Sequence, residues 1–433
     1  MVPRVSRRPG FYLVLFAVGV LYFSFSRFTW QDLPLERIGL GEHRLTSGAS
    51  ARPGATILED LESSESNSTV QDNLDTSPKK EGVSHNEIDF HPGKTKPVGS
   101  AYSKTLIMPR TSEEDVDWVY ESFPKGSGTD TKIYTVDDVS QPLHPPKNKG
   151  HEVMVYLTYI IDHYDDALAD VNVFLHSHRY AWHNNDILGS DAVDMLRRLS
   201  AERVQREGYM NLRCNWEPGC PDWMHPGTVK EDINKQEEQM LAKSWVQLFP
   251  LDPVPSVLAQ PCCAQFAVSA DRIRTLPKAR YVFYRDWLLR TPLSDYISGR
   301  VWEYLWQYVF TGQNVVCPET HICYCDGYGI CFGGKEEYET WWQKSMDIAH
   351  YDEELRQWHE DDDAIKNAQG EGRVDENKEL QIPEYGRDVE LEQILDELNE
   401  WVSFEKRKAQ ERGDIAMNRA KEAGRPWRDG DGF

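Results

Sequence analysis

Short apolar runs alternate along the chain with a segment of helical spacing. The runs KTLIM at 104–108, TKIYTV at 131–136 and VNVFL at 171–175 are rich in β-branched and long apolar residues and predict strands. The apolar residues of HEVMVYLTYIIDHY at 151–164 recur with the period of a helix, and Ser112 is expected to cap an earlier helix. This order of strands and helices predicts an α/β fold with a mostly parallel, doubly wound sheet.

The pattern continues towards the C-terminus with two more predicted strands, CCAQFAVS at 262–269 and ARYVFY at 279–284. GRVWEYLWQYVF at 299–310 carries an apolar stripe and predicts one helix. A later amphipathic helix is predicted through residues 391–402, and its apolar stripe is expected to dock on the main domain because its polar face is not predominantly basic. The last twenty residues are expected to be loose.

The N-terminus has the pattern of a signal anchor. Three of the first eight residues are arginine, and the uncharged stretch GFYLVLFAVGVLYFSFS follows them. Such flanking charges predict a cytoplasmic tail at 1–10, a transmembrane span at 11–28 and a lumenal remainder. The alternative is a cleaved signal peptide. A short, Phe-rich span suits a thin Golgi or other secretory-pathway membrane, which predicts a single-pass type II protein there.

Composition divides the rest of the chain into three parts. Residues 29–100 are rich in Ser, Thr, Asp, Pro and Gly and poor in aromatic residues, so they predict a disordered stem. Asn67 in this stem begins the triplet NST, an acceptor for an N-linked glycan in the lumen. Residues 101–335 are predicted to form the lumenal α/β domain, and residues 336–433 a charged helical extension.

All eight cysteines lie between residues 214 and 331. An even number in one lumenal region predicts disulfides within insertions of the α/β domain, and the absence of a C-x-x-C pair disfavours a zinc ribbon. The pairing stays open, although the cluster at 317–331 is expected to pair partly within itself because short loops close at small entropic cost. The 48 Lys and Arg against 71 Asp and Glu give a net charge of −23, which disfavours nucleic acid as a partner.

The segment KNKGHE precedes the first long helix and is a candidate anion site. Asn148 is expected to cap that helix, whose free N–H groups and positive dipole end point towards the preceding loop. With Lys147, Lys149 and Gly150 beside it, this helix start has the size and charge to hold a diphosphate. The alternative is an ordinary capped helix with solvated lysines.

The predicted strand at 171–175 is followed by three histidines in HSHRYAWHNND. His176 and His178 alternate with Ser177 and would share one face, where His183 and Asp186 could complete a metal site. The alternative is that the histidines bond to the loop backbone.

Three carboxylates are candidates for binding or catalysis. Asp137 and Asp138 follow the second predicted strand, where they could accept hydroxyl protons from a nucleoside. Glu303 lies in a tryptophan-rich segment, where apolar neighbours would raise its pKa and suit it as a general base. The alternatives are that the two aspartates start a turn and that Glu303 pairs with Arg300.

Five long motifs together resemble a family of fungal membrane-anchored proteins known as a domain of unknown function: KNKGHEVMVYLTYIIDHYDD, VFLHSHRYAWHNND, GYMNLRCNWEPGCPDW, QPCCAQFAVSADRIR and YRDWLLRTPLSDYISGRVWEYLWQYVF. The chain is more distantly similar to glycosyltransferases of the A-type nucleotide-sugar fold in the order of its strands, helices and polar strand end. Many of those enzymes bind a divalent cation with an Asp-x-Asp triplet, where this chain has His176-Ser177-His178.

The distant resemblance implies transfer of a sugar from a nucleotide donor to a glycan or secreted acceptor. The diphosphate would lie against residues 147–150 with His176 and His178, the nucleoside against Asp137 and Asp138, and the acceptor hydroxyl against Glu303. A divalent metal, Mn or Mg, is a possible cofactor. Two other hypotheses stay open. One is a metal-dependent hydrolase that activates water with the three histidines and Asp186, and the other is a non-catalytic secretory-pathway protein.

Overall fold

The structure is a computed structural model that describes residues 84–371 and 381–433. The predicted cytoplasmic tail, the membrane span at 11–28, most of the stem and Asn67 lie outside these residues, so they stay predictions. Within the described ranges, no helix combines the length and the apolar character needed to cross a bilayer. The end of the predicted stem lies against the body, where buried His85 is hydrogen-bonded through Nε2 to the Tyr308 carbonyl at 2.7 Å.

A five-stranded mixed sheet forms the centre of the described residues. Its strands are β1 (Lys104–Arg110), β2 (Thr129–Thr135), β3 (Val171–Phe174), β4 (Tyr209–Asn211) and β5 (Phe266–Ser269). They lie in the order β2-β1-β3-β5-β4. β1 pairs parallel with β2 and β3, whereas β5 runs antiparallel between β3 and β4. The α/β class is confirmed, and the sheet is mixed where the sequence predicted a mostly parallel one.

Helices cover both faces of this sheet. In chain order they are α1 (Asp117–Ser122), α2 (Glu152–His163), α3 (Ala192–Arg198), α4 (Ala201–Glu207), α5 (Glu238–Leu248), α6 (Ala270–Thr275), α7 (Lys278–Arg290), α8 (Asp295–Glu303), α9 (Trp306–Thr311), α10 (Thr320–Tyr328), α11 (Lys335–Glu371), α12 (Arg387–Gly413) and α13 (Ala416–Glu422). Because side chains alternate along a strand, Ile107 packs with α2 and α7 on one face. Leu106 and Met108 pack with α1, α3 and α10 on the other.

Two predicted elements differ from the structure. Residues 279–284 lie in α7 and not in a strand, because Tyr281, Tyr284 and Leu288 fall on one buried helical face. The predicted helix at 299–310 is two helices, with a break after Glu303. At this break the side-chain amide of Gln260 donates to the Glu303 carbonyl at 2.6 Å, which satisfies a group that a continuous helix would use itself.

The C-terminal extension packs on the main domain. Trp401, Val402 and Ala409 of α12 join the apolar core beneath α3 and α10, as the amphipathic pattern predicted. The chain end is not loose, in contrast to the expectation. Arg425 pairs with buried Asp326 at 2.8 Å because that carboxylate lies among several arginines.

All eight cysteines are paired, which confirms the predicted disulfides. Cys214–Cys323 and Cys220–Cys317 tie the segment after β4 to the segment around α10. Cys325–Cys331 lies within the C-terminal cluster, as expected from its short loop. The fourth disulfide joins the adjacent residues Cys262 and Cys263, just before β5.

Candidate functional site

The strand order creates a crevice at the carboxyl ends of β1 and β3. From β1 the chain passes to β2 on one side, and from β3 it passes to β4 on the other side, so the connections that leave β1 and β3 run in opposite directions. Open α/β sheets bind ligands in the crevice outside such a switch point, because the loops there diverge. The loop after β1 and the triplet His176-Ser177-His178 after β3 meet in this place.

A cleft of about 330 Å³ fills this crevice. Its lining combines the loop ends of the three parallel strands with the start of α2 and one residue of α8. The lining residues are Pro109, Arg110, Thr111, Glu114, Val136, Asn148, His151, Glu152, His176, Ser177, His178 and Asp295. The volume is at the lower end of the range of small-molecule sites.

His176 is fixed at the floor of the cleft. Its backbone N–H donates to Gln265 Oε1 at 3.0 Å, and its ring is hydrogen-bonded to the backbone carbonyl of Cys263. The pKa of His176 is lowered to about 4, chiefly by burial and also by His178 and His151. The ring is therefore neutral at physiological pH. Its buried Nε2 has no hydrogen-bond partner among the described residues, so it can serve a ligand.

The ring of His183 packs against the ring of His176, with their centroids 4.7 Å apart. The pKa of His183 is lowered to about 3, chiefly by burial and also by His176 and Arg213. Its buried Nε2 likewise has no partner within the part of the chain that the structure describes. The two imidazoles are thus uncharged polar groups, not a cationic diphosphate clamp.

Glu114 holds the other two residues of the triplet. The Ser177 hydroxyl donates to Glu114 Oε1 at 2.7 Å, and His178 Nε2 lies 3.6 Å from the same oxygen. The Thr111 N–H donates to Glu114 Oε2 at 2.6 Å. Desolvation raises the pKa of Glu114, but the bonds from Thr111 and Ser177 and the nearby His178 outweigh it, and the net shift is downward. Glu114 is therefore ionised and holds the loops after β1 and β3 together. The largely exposed His178 faces the cleft.

Glu152, the first residue of α2, lines the cleft with a carboxyl group. Its pKa is raised to about 8, chiefly by desolvation and also by the negative charges of Glu303 and Asp295, while its own backbone N–H opposes the rise. Such a group exchanges its proton close to neutral pH, which is the property that general acid–base catalysis requires.

Glu303, the base predicted from the sequence, ends α8 and lies behind the lining of the cleft. Its Oε1 accepts from the Cys263 N–H at 2.6 Å. Burial raises its pKa, while that hydrogen bond and Arg300 lower it. Arg300 forms its ion pair with Glu237 at 2.7 Å, whereas the alternative drawn from the sequence paired it with Glu303. Glu303 therefore influences the cleft indirectly, because its charge raises the pKa of Glu152 and its carboxylate binds the Cys263 N–H.

The start of α2 is already occupied by a carboxylate. The N–H groups of Gly150 and His151 both donate to Asp295 Oδ1, at 2.5 and 3.3 Å. Gly150 has φ +72°, and a Cβ there would lie 2.7 Å from Leu288. His151 stands at the cap position, so Asn148 lines the cleft and does not cap the helix.

The two lysines beside Asn148 differ in their surroundings. The ammonium of Lys149 donates to the carbonyls of Thr291 and Leu293 at 2.9 and 2.7 Å, which ties the loop before α2 to the loop before α8. Lys147 is exposed. Among the described residues that line the cleft, Arg110 therefore supplies the permanent positive charge.

Asp137 and Asp138 lie after β2 but not among the residues that line the cleft. Asp137 accepts from the N–H and hydroxyl of Ser112, which lower its pKa. Ser112 therefore binds Asp137 and does not cap α1, which begins at Asp117. Gln141 and Ser140 bind Asp138 and lower its pKa to about 2. Asp138 is thus engaged in a local turn, whereas Asp137 links the loop after β2 to the loop after β1.

The histidines and Asp186 do not form one coordination set. Asp186 instead accepts from Asn215 Nδ2 at 2.6 Å. Within 84–371 and 381–433, ligand atoms of three His, Cys, Asp or Glu side chains lie within 4.8 Å of one another in the groups Cys262–Cys263–Glu303 and Cys325–Cys331–Glu422. Disulfide sulfurs are not thiolates, so neither group is a metal site. The residues do not fit a preformed manganese or magnesium centre, and we derive no step through one.

Two aromatic side chains stand exposed beside the histidines. Tyr180 is 59% and Trp182 is 55% exposed. The Trp182 ring lies 5.6 Å from the His183 ring, and the Arg213 guanidinium lies 5.4 Å from the Trp182 centroid. Arg213 also donates to the Trp182 carbonyl at 2.9 Å, which fixes the backbone here. We call Tyr180 and Trp182 the aromatic rim; its member Trp182 contacts His183, which packs on His176 at the floor of the cleft.

Sequence reasoning missed four contributors to this site: Arg110, Glu114, Glu152 and Asp295. Glu152 directly follows His151 at the start of a predicted helix, and an acidic residue there indicated only a favourable helix dipole. Asp295 is distant in sequence and meets α2 because Gly299 lets α8 approach, with a Cβ there only 2.6 Å from His151. No sequence pattern near either residue predicts that contact.

A protein-family model described as "Protein of unknown function (DUF3431)" matches residues 106–326. The match begins within β1 and includes the other four strands and every residue that lines the cleft. No curated protein and no solved structure matches the chain.

Proposed function

We propose that this chain, which belongs to the family described as protein of unknown function (DUF3431), transfers a sugar from a nucleotide sugar to a hydroxyl group of a glycan or secreted acceptor. The observation that carries the proposal is the cleft at the switch point of β1 and β3, with an acid–base carboxyl group in its lining. The distant resemblance to A-type glycosyltransferases also supports it, because their donor site follows the strand that corresponds to β3.

Arg110 and the triplet after β3 are the donor side of the proposed site. The Arg110 guanidinium is suited to a diphosphate because it is charged at any physiological pH and offers several N–H donors. The exposed ring of His178 and the open Nε2 of the neutral His176 ring add polar contacts. Lys149 serves the two loops that it bridges, so we assign it a structural role.

Glu152 is the proposed base. In the transfer, the acceptor oxygen bonds to the anomeric carbon of the sugar, the bond from that carbon to the diphosphate breaks, and the acceptor proton passes to Glu152. The diphosphate leaves with the electron pair, so the products are the glycoside and the nucleoside diphosphate. Glu303 acts behind Glu152 and sets the pH at which this proton moves, since its charge raises the pKa of Glu152.

The proposed location is the lumen of the Golgi or another secretory-pathway compartment, where residues 11–28 would anchor the protein in the membrane. The disulfides support it, because no cysteine of the described residues is free and such pairing persists in oxidising compartments.

Binding of nucleotide sugars to the full chain in detergent tests the donor class. A panel of uridine- and guanosine-diphosphate sugars is added with and without Mn²⁺ or Mg²⁺, and the melting temperature is measured. We expect at least one nucleotide sugar to raise the melting temperature. No shift with any member of the panel would contradict the proposal, and a shift with a divalent metal alone would favour the metal-dependent hydrolase instead.

Removal of one donor contact is expected to weaken binding without unfolding the protein. His178→Ala should raise the Kd for the nucleotide sugar about 10- to 100-fold, because one hydrogen bond to a charged phosphate is lost. The matched control is His350→Ala on α11, whose exposed side chain is not among the residues that line the cleft. Titration calorimetry compares the variants, and an equal Kd in both would argue against donor binding at the triplet.

The aromatic rim is proposed to hold a sugar ring of the acceptor, because an exposed, fixed indole stacks on the apolar face of a sugar. Trp182→Ala should raise the acceptor KM roughly 3- to 10-fold and leave kcat nearly unchanged. Tyr385→Ala, at a fully exposed aromatic residue before α12, is the control. A loss confined to kcat would place Trp182 in another role.

A further inference from the structure

The segment that precedes β5 has an unusual backbone. Cys263 and Ala264 have φ values of +83° and +49°, which residues other than glycine rarely adopt. Neighbouring contacts hold this conformation: the Cys262 N–H donates to the Pro218 carbonyl at 3.1 Å, and Asn211 Nδ2 donates to the Pro261 carbonyl at 2.6 Å. A non-glycine backbone of this kind that is held by its surroundings points to a functional constraint.

The groups that this backbone presents face the candidate site. The Cys263 N–H donates to Glu303 Oε1 at 2.6 Å, and the Cys263 carbonyl is hydrogen-bonded to the ring of His176. Both sulfurs of the disulfide lie within 4.8 Å of a Glu303 oxygen. Gln265 continues the link, since its Oε1 accepts from the His176 N–H. One short segment therefore joins the carboxylate behind the cleft to the histidine at its floor.

We propose that the Cys262–Cys263 disulfide is a positioning element of the site, whose ring fixes the Cys263 N–H on the Glu303 carboxylate and the Cys263 carbonyl on the His176 ring. The disulfide closes a ring between neighbouring residues, so the torsions of the peptide between them are restricted. Two separate cysteines would leave those torsions free, and the two contacts would have to be formed at a cost in conformational entropy.

The positioning matters because Glu303 has few other fixed partners. Arg300 lies on the same helix, Glu237 at the start of α5 binds Arg300, and Glu152 at the start of α2 faces Glu303 electrostatically. The Cys263 N–H is the short bond that orients the carboxylate itself. Only the role of Glu303 in the reaction rests on the proposed sugar transfer. The contacts themselves do not depend on which reaction the protein catalyses.

The test measures Glu303 without relying on activity. Oxidised full-length protein is labelled with a water-soluble carbodiimide and an amine at a series of pH values, and the Glu303 peptide is quantified by mass spectrometry. The reagent modifies the protonated carboxyl, so the midpoint reports its titration. In Cys262→Ala/Cys263→Ala we expect the midpoint to rise by about one pH unit, because the hydrogen bond that lowers the pKa of Glu303 is loosened.

The matched control is Cys325→Ala/Cys331→Ala, which removes the other short-range disulfide and should leave the Glu303 midpoint unchanged. If the first variant does not fold, the wild-type chain is treated with a phosphine reductant until peptide mapping shows only the 262–263 pair reduced, and the same rise is expected. An unchanged midpoint overturns the positioning role. A shifted midpoint in a protein that binds no nucleotide sugar sustains it while the proposed function fails.

Discussion

Glu152→Gln is expected to lower the rate of sugar transfer about 10²- to 10⁴-fold at neutral pH, the usual contribution of a general base. Glutamine keeps the size and polarity of the protonated carboxyl group but cannot accept the acceptor proton. Glu152 lines the cleft but is not one of the proposed donor contacts, so the Kd for the nucleotide sugar should change little. Steady-state kinetics with a saturating acceptor, together with calorimetry for the donor, separates these two effects.

Two further variants bracket this result. Glu303→Gln removes the negative charge that raises the pKa of Glu152, so we expect a smaller loss of rate and a pH optimum at lower pH. Glu336→Gln, on the exposed face of α11, should match the wild type. If Glu303→Gln loses as much rate as predicted for Glu152→Gln while Glu152→Gln stays active, the base is Glu303, as the sequence suggested.

Local patterns predicted the elements whose residues bury a regular face. β1 could be predicted because Leu106 to Met108 alternate between two cores. α2 could be predicted because its apolar residues recur with the period of a helix, and Val153 to Ile161 are all buried. ARYVFY misled because β-branched and aromatic residues also suit a buried helix, and the deciding neighbour, Leu288, lies outside the run. The antiparallel direction of β5 depends on a long excursion through residues 212–265, which no local pattern encodes.

The same distinction between local patterns and distant contacts applies to the candidate site. The histidine triplet could be found because it follows a recognisable strand, and it does reach the cleft. Its chemistry could not be predicted, because the neutral state of His176 comes from burial by distant segments. The helix start at Asn148 was expected to hold an external anion, yet Asp295 from α8 takes its N–H groups. Residues far apart in sequence supply charges that decide what a local motif binds.

The Glu152→Gln substitution should also stabilise the protein, in a way that depends on pH. Burial raises the pKa of Glu152 from 4.5 to about 8 in the folded chain. Between these two values the folded state binds more protons than the unfolded state, so the free energy of unfolding falls as pH rises. The stabilising contribution of this group is thus complete below about pH 4.5 and lost through pH 8.

Glutamine does not ionise, so the free energy of unfolding of the variant should not fall over this pH range. At pH 5 the variant and the wild type should unfold at nearly the same denaturant concentration. At pH 8.5 we expect Glu152→Gln to be more stable by roughly 2–4 kcal/mol, somewhat less than the full shift implies because the side chain is partly exposed to the cleft. Urea unfolding at the two pH values, without reductant, measures the difference, and Glu336→Gln should show none. A gain in stability joined to a loss of transfer is typical of a carboxyl group kept for function at the expense of the fold. An equal free energy difference at both pH values would mean that Glu152 titrates normally and is not the base.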